Sequence, residues 1–223
     1  MKLTHTLPAD IERTSMRIIG EELSRLGRPI PKENEAVVKR VIHATADFDF
    51  ADSLHFSRNA VSLCMECLRR GVDIITDSNM ALAGVSKPAA ARLGCTAHCF
   101  MAEDAIAQRA KEMCVTRAAA AMDYAAGKYP GAAHIVGNAP TALFILAEKM
   151  ENGYEPAFVV ASPVGFVNVI EAKEKIVFTC EKYGVPVIAP MGRKGGSTVA
   201  AAILNALLYG AADMLDPAAR GWR

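Results

Sequence analysis

The chain has 223 residues and a formal net charge of +1 at pH 7, which suits one α/β domain over residues 1–223 with a sizeable core. So small a charge excludes the strong basic field of a nucleic-acid binder. No apolar run reaches membrane-spanning length and the opening MKLTHTLPADIERTS has no apolar signal core, so a cytoplasmic protein without a membrane partner is expected.

Leu7 to Leu26 reads as a first helix. Pro8 suits its opening turn, and Gly27 and Pro29 end it. Ile11, Ile18, Ile19, Leu23 and Leu26 mark its apolar face. Ser15 sits inside it, where a serine ordinarily bonds back to its own backbone. A second helix follows, with Val37, Val38, Val41, Ile42 and Thr45 at the spacing of a buried face. His43 projects nearly opposite the centre of that stripe, and Arg40 lies one turn before it. On spacing alone a solvated histidine is the plainer reading. The sharper one is a proton-transfer imidazole beside an arginine that clamps a carboxylate.

Asp47-Phe-Asp-Phe50, Leu54 and Phe56 form an ordered connector with rings on the core. Ser57 is a fitting N-cap for the next helix, which Gly71 closes. From there short apolar runs alternate with helices. The predicted strands are Val72 to Thr76, Thr96 to Met101, Ala133 to Val136, Ala157 to Ala161 and Val185 to Ala189. The predicted helices are Ala105 to Ala126 with a break near Val115, Thr141 to Glu151, Val167 to Tyr183 and Thr198 to Tyr209. This pattern predicts a three-layer α/β/α fold: a mostly parallel, doubly wound sheet of about five strands, preceded by N-terminal helices. The polar end, Asp213 to Arg223, is expected to fray.

The six cysteines are Cys64, Cys67, Cys95, Cys99, Cys114 and Cys180. Without a signal peptide they read as free thiols. Cys64 and Cys67 fall inside a helix, away from the strand-to-helix turn of a redox pair. Cys95, His98 and Cys99 fall on a buried strand without a second ligand pair, so no metal site is expected.

The unusual residues cluster at strand ends, where a doubly wound sheet binds ligands. Asp77-Ser-Asn-Met80 follows the first strand, Gly137-Asn-Ala-Pro-Thr141 the third, Ser162-Pro-Val-Gly-Phe166 the fourth and Met191 to Thr198 the fifth. One such loop is only a tight turn; several on one edge make a site. In the last loop Arg193, Lys194, Gly195, Gly196 and a helix start favour an anion. It is not a Walker loop, and no G-x-G-x-x-G follows a strand. Thr116-Arg117 opens an alanine-rich helix; the arginine is either solvated or a carboxylate anchor. Asp77 either caps its turn or orients a substrate group.

Five blocks now line up: Ile42-His-Ala-Thr-Ala-Asp47 with its Phe-Asp-Phe extension, Asp77-Ser-Asn-Met80, Gly137-Asn-Ala-Pro-Thr-Ala-Leu-Phe144, Pro163-Val-Gly-Phe-Val167 and Gly192-Arg-Lys-Gly-Gly-Ser197. Together they resemble the precorrin-8X and cobalt-precorrin-8 methylmutases of corrin biosynthesis, with wording nearer the cobalt branch. The resemblance implies migration of a methyl group from C-11 to C-12 of a corrinoid tetrapyrrole, a 1,5-sigmatropic rearrangement with no methyl donor and no cofactor. It implies His43 as the catalytic proton donor and acceptor and Arg40 as a substrate-binding residue. It also implies Ser15, where Met16 replaces the family's phenylalanine. Arg117, Asp77, Asn138, Arg193, Gly195 and Gly196 complete the expected substrate-binding set. The family is homodimeric with active sites near the subunit interface. Two other readings use the same residues: a non-catalytic corrinoid carrier, and an α/β transferase holding a phosphorylated ligand at Gly192 to Thr198.

Overall fold

The computed structural model describes residues 7–221. Met1 to Thr6, part of the stretch without a signal core, and Trp222 and Arg223 of the polar end lie outside the described residues. In chain order the elements are α1 (Pro8–Arg25), α2 (Glu35–Thr45), α3 (Phe50–Ser53), β1 (Leu54–Phe56), α4 (Ala60–Arg69), β2 (Ile74–Thr76), α5 (Asn79–Gly84), α6 (Lys87–Arg92), β3 (Ala97–His98), α7 (Asp104–Glu112), α8 (Arg117–Lys128), β4 (Ala133–Val136), α9 (Pro140–Glu151), β5 (Phe158–Ala161), α10 (Val169–Lys182), β6 (Val187–Pro190), α11 (Ser197–Ala211) and a 3-10 turn (Pro217–Arg220).

The six strands form one sheet in the order β1-β6-β5-β4-β2-β3. Strands β2 to β6 are parallel, and β1 runs antiparallel to β6 with Leu54 opposite Pro190. The β1 start therefore lies at the carboxyl edge of the parallel strands, and α2 is delivered to that edge.

Strand alternation splits the core between two faces. Ile135, Phe158, Val160 and Ile188 pack with α2, α4 and α11. Val136, Val159, Ala161, Val187 and Ala189 pack with α8, α9 and α10. The expected three layers and doubly wound, mostly parallel sheet are found. Helix α11 is apolar on nearly every side, and twelve of its fifteen residues are buried, as such a composition requires. It lies under α2, so the face of α2 opposite its valines is left to the outside.

Departures from expectation have local causes. The sixth strand, β1, has only three residues and follows a run of aromatics, so it carries too little alternation to show. The short helices α5 and α6, six residues each, span less than two turns and so carry no helical period to read. Ser57 is not the N-cap of α4. Its Oγ accepts from Val187 N at 3.0 Å, and Asn59, at φ 57, holds the cap position. The break near Val115 is real: Cys114 is left-handed at φ 54, and the Thr116 hydroxyl caps α8 through Ala119 N.

On α1 the buried face is Ala9, Glu12, Ile19 and Leu23, while Ile11, Ile18 and Leu26 are exposed. Nor does the described part of the C-terminal segment fray. Met214 N bonds Tyr209 O at 2.7 Å, Pro217 is buried, and Asp216 takes Arg13 at 2.8 Å. Among the described residues no helix is long and apolar enough to cross a membrane.

Candidate active site

Helix α2 buries Val37, Val38, Val41 and Ile42 and leaves His43 exposed. Its last turn ends on Ala46 in the left-handed region, with Ala46 N on Ile42 O at 2.7 Å. The Thr45 hydroxyl donates to Val41 O at 2.8 Å and accepts from Asp47 N at 3.3 Å. Asp47 then accepts from Asp49 N at 3.0 Å. The turn thus brings two carboxylates together, and Lys194 reaches both at 2.7 Å. Phe50 is buried and Phe48 packs on the same core, so the rings of this motif anchor the turn while its acids hold the glycine loop.

Arg40 projects into a cluster of charges. Its Nη2 lies 2.6 Å from Glu12 Oε1. Arg220 Nη2, from the 3-10 turn, lies 2.5 Å from the same oxygen. Both guanidinium groups flank the Tyr209 ring, at 5.3 Å and 4.5 Å from its centroid. Burial pushes the Glu12 pKa up, but hydrogen bonds from Arg220 and Arg40 outweigh it and hold the carboxyl below its ordinary value. His43 is pushed below the usual histidine value, first by lost solvation and then by the Arg40 charge, with Arg220 adding and Glu12 opposing. A lowered pKa makes the imidazolium a readier proton donor, and the neutral ring can still take a proton back. A cleft of about 580 Å³ opens beside this cluster, lined by Glu12, Met16, Lys39, Arg40, Leu215 and Pro217 among others. Ser15 stands one turn beyond Glu12, with its hydroxyl on Ile11 O at 2.8 Å.

At the carboxyl edge the loops are fixed by buried charge. Asp77, at the end of β2, is 3% exposed. It accepts the N–H groups of Gly137, Asn138 and Ala139 at 2.8, 2.8 and 2.6 Å. Burial pushes its pKa up, and the three N–H groups work against that. Its carboxylate is therefore spent on aiming the Asn138 loop. A Cβ on Gly137 would lie 2.7 Å from Ser197 Cα, so only glycine lets this loop meet the start of α11. Ser78 and Ser197 hydroxyls join across the same junction at 2.7 Å.

Lys173 is fully buried and donates to Gly192 O at 2.8 Å and Lys194 O at 2.7 Å. Burial brings its pKa down to about 8. A Cβ on Gly195 would collide with Ser162 O, and Gly196 N donates to that same carbonyl at 2.7 Å. Arg193 is left at the rim, its guanidinium 5.6 Å from the centre of the Phe166 ring, and Phe166 is 84% exposed.

The structure thus gathers Arg40 and His43 in one group. Asp77, Asn138, Arg193, Gly195 and Gly196 lie along the sheet edge to which Lys194 ties the end of α2. Arg117, at the start of α8, lies in the helical layer across the sheet from α2 and donates to Met101 O at 3.3 Å. The sequence reading missed Glu12, Lys173, Tyr209 and Arg220. A polar residue on the buried stripe of each helix was the available signal for Glu12 and Lys173. Nothing in the tail's composition announced Arg220. The cysteines are free thiols, and four of the six, Cys64, Cys67, Cys95 and Cys180, are buried.

Residues 10–210 match the family model described as precorrin-8X methylmutase. The chain is 40% identical over 209 residues to the cobalt-precorrin-8 methylmutase of Salmonella typhimurium, covering 91% of this chain and 95% of that one. It is 38% identical over 201 residues to the precorrin-8X methylmutase of Pseudomonas aeruginosa, covering 88% and 93%. The fold is similar to the crystal structure of precorrin-8X methyl mutase from Thermus thermophilus, with TM-score 0.81, 38% identity and 91% and 98% of the two chains covered.

Proposed function

The chain belongs to the precorrin-8X methylmutase family, and on that premise we propose the site and the chemistry by which it works. It is a methylmutase, an isomerase of cobalamin biosynthesis, moving the C-11 methyl group of its corrinoid to C-12. The substrate is cobalt-precorrin-8, giving cobyrinic acid, or precorrin-8X, giving hydrogenobyrinate. The Salmonella typhimurium and Leptospira interrogans relatives, 40% and 37% identical, both carry the cobalt name, which favours the first.

The observation that carries the site is an exposed His43 one turn along α2 from Arg40, whose side chain stands in the adjoining charge cluster. In our reading His43 protonates a ring nitrogen, electron density is drawn through the conjugated macrocycle, and the barrier to methyl migration falls. The proton then returns to the imidazole; the lowered pKa favours the donating step. Arg40, Arg117 and Arg193 take peripheral carboxylates. Asn138, Gly195 and Gly196 present the loops, Asp77 sets the Asn138 loop, and Ser15 lines the α1 side. Holding a rigid, flat substrate in register is a large share of the work.

The reading extends to a cytoplasmic homodimer with active sites near the interface. Exposed Val164, Phe166 and Val167 on the carboxyl-edge loop support a second copy there.

The test is an anaerobic absorption time course with cobalt-precorrin-8 and, separately, precorrin-8X. Wild type should progress to the spectrum of the matching acid, and the faster substrate names the branch. His43→Ala should slow conversion at least about a hundredfold while still binding. Wild-type turnover by that variant overturns the role of His43.

A further inference from the structure

We propose that Arg220 is a positioning residue for substrate binding: it keeps buried Glu12 paired while Arg40 turns to a carboxylate of the corrinoid. The inference rests on reading Arg40 as a substrate anchor.

Arg40 is already engaged. Its Nη2 lies 2.6 Å from Glu12 Oε1, and the two side chains are 14% and 5% exposed. To meet a substrate it must loosen that contact. Stripping a buried carboxylate of its only cation is strongly destabilising, so a lone Arg40–Glu12 pair would withhold the arginine from the ligand. Arg220 removes that obstacle. It reaches the same oxygen at 2.5 Å and is itself 5% exposed. The two guanidinium groups share one acceptor oxygen and one aromatic ring, that of Tyr209. Either can hold Glu12 while the other moves.

The placement of Arg220 is built rather than accidental. Asp216 caps the 3-10 turn through Ala218 N at 2.9 Å and ties it to α1 through Arg13 at 2.8 Å. Pro217 is buried beneath it. The family match ends at residue 210, so this part of the cluster lies outside the matched segment. A purely structural Arg220 would pin the tail to α1, and removing Glu12 would then loosen the tail further. An exchange partner behaves in the opposite way: removing Glu12 frees Arg40 and makes Arg220 dispensable.

The experiment is an absorption titration of the full chain with cobyrinic acid, reading Kd, with circular dichroism on every variant. Arg40→Ala comes first and should weaken binding about tenfold; an unchanged Kd removes the anchor reading itself. Given that loss, Arg220→Gln should also weaken binding about tenfold, because Arg40 becomes the sole cation on Glu12. Adding Glu12→Gln should return Kd to within about twofold of wild type, and Arg220→Lys should stay near wild type. An unchanged Kd in Arg220→Gln, or no rescue by Glu12→Gln, overturns the proposal. If Arg220→Gln does not fold, Glu12→Gln alone decides: a Kd at or below wild type supports the exchange, and a clear rise overturns it.

Discussion

Two regions of this molecule hold charge in opposite ways. At the carboxyl edge the buried charges Asp77 and Lys173 are held by neutral backbone partners. Asp77 takes three N–H groups, and Lys173 gives to two carbonyls. Beside α2 the buried charge is shared: one Glu12 oxygen serves two arginines. The first arrangement has one good state, because any movement orphans a buried polar group. In the second, under the exchange proposed above, either arginine can hold the oxygen when the other moves. The contrast matches the roles proposed for the two regions. Loops that present backbone to a rigid ligand gain from being fixed beforehand, whereas an arginine that must accept a substrate carboxylate has to be able to change partners.

The comparison breaks most visibly at Asp77. Asp77→Ala takes the carboxylate from three N–H groups, that of Gly137 in a buried residue, and should cost about 3 kcal/mol. For a domain of this size that is a fall in Tm of about 10 °C, measured by thermal unfolding. If the loss is small, the Gly137–Ala139 loop is not latched as described. Lys173→Met should cost about 2 kcal/mol for its two orphaned carbonyls, less than Asp77 because the desolvated amine goes with them. It carries a pH signature as well. With a folded pKa near 8, below the unfolded value near 10.4, the folded state binds fewer protons between those values. The Lys173 contribution to stability therefore rises as pH goes from about 8 to about 10.4. Urea unfolding across that range should show the rise in wild type and not in Lys173→Met.

The shared-charge region responds more gently. Removing the Glu12 charge takes away the one carboxylate that opposes the depression of the His43 pKa. In Glu12→Gln, NMR titration should find His43 lowered further, and in Arg40→Ala raised. The alkaline limb of kcat/KM should follow His43, which donates the proton, lying below the ordinary histidine pKa near 6.5 in wild type and lower still in Glu12→Gln. A folded pKa below the unfolded one also means that stability from this group is present above about pH 6.5 and is lost as pH falls through the folded value.

How much of this was legible in the sequence follows the same division. Period-2 and period-3.6 patterns are properties of single segments, so all five long-range parallel strands and most helices could be read. The edge loops could be located too, because glycine, proline and lone charges at strand ends are local signals. What held them could not. The partners of Lys194 are Asp47 and Asp49, 147 and 145 residues away. Arg220 meets Glu12 across 208 residues. Asp47 and Asp49 were in plain view as part of a motif, yet only the fold shows that they fasten a loop. Ile11 and Ile18 misled in the other direction: they share a helical stripe, but burial went to the neighbouring stripe that carries Glu12.

The smallest expected effect separates chemistry from architecture at Ser15. Its hydroxyl is satisfied by Ile11 O at 2.8 Å, a bond back to its own helix that adds little or nothing to stability. Ser15→Ala should leave unfolding within about 0.5 kcal/mol of wild type. Any change in this variant must then come from the ligand. A weaker Kd for cobyrinic acid with an unchanged Tm would mean that the hydroxyl rotates from Ile11 O to the substrate, a second group beside Glu12 that changes partners. An unchanged Kd would confine partner exchange to the arginines and leave Met16, which lines the cleft, as the α1 residue facing the corrinoid.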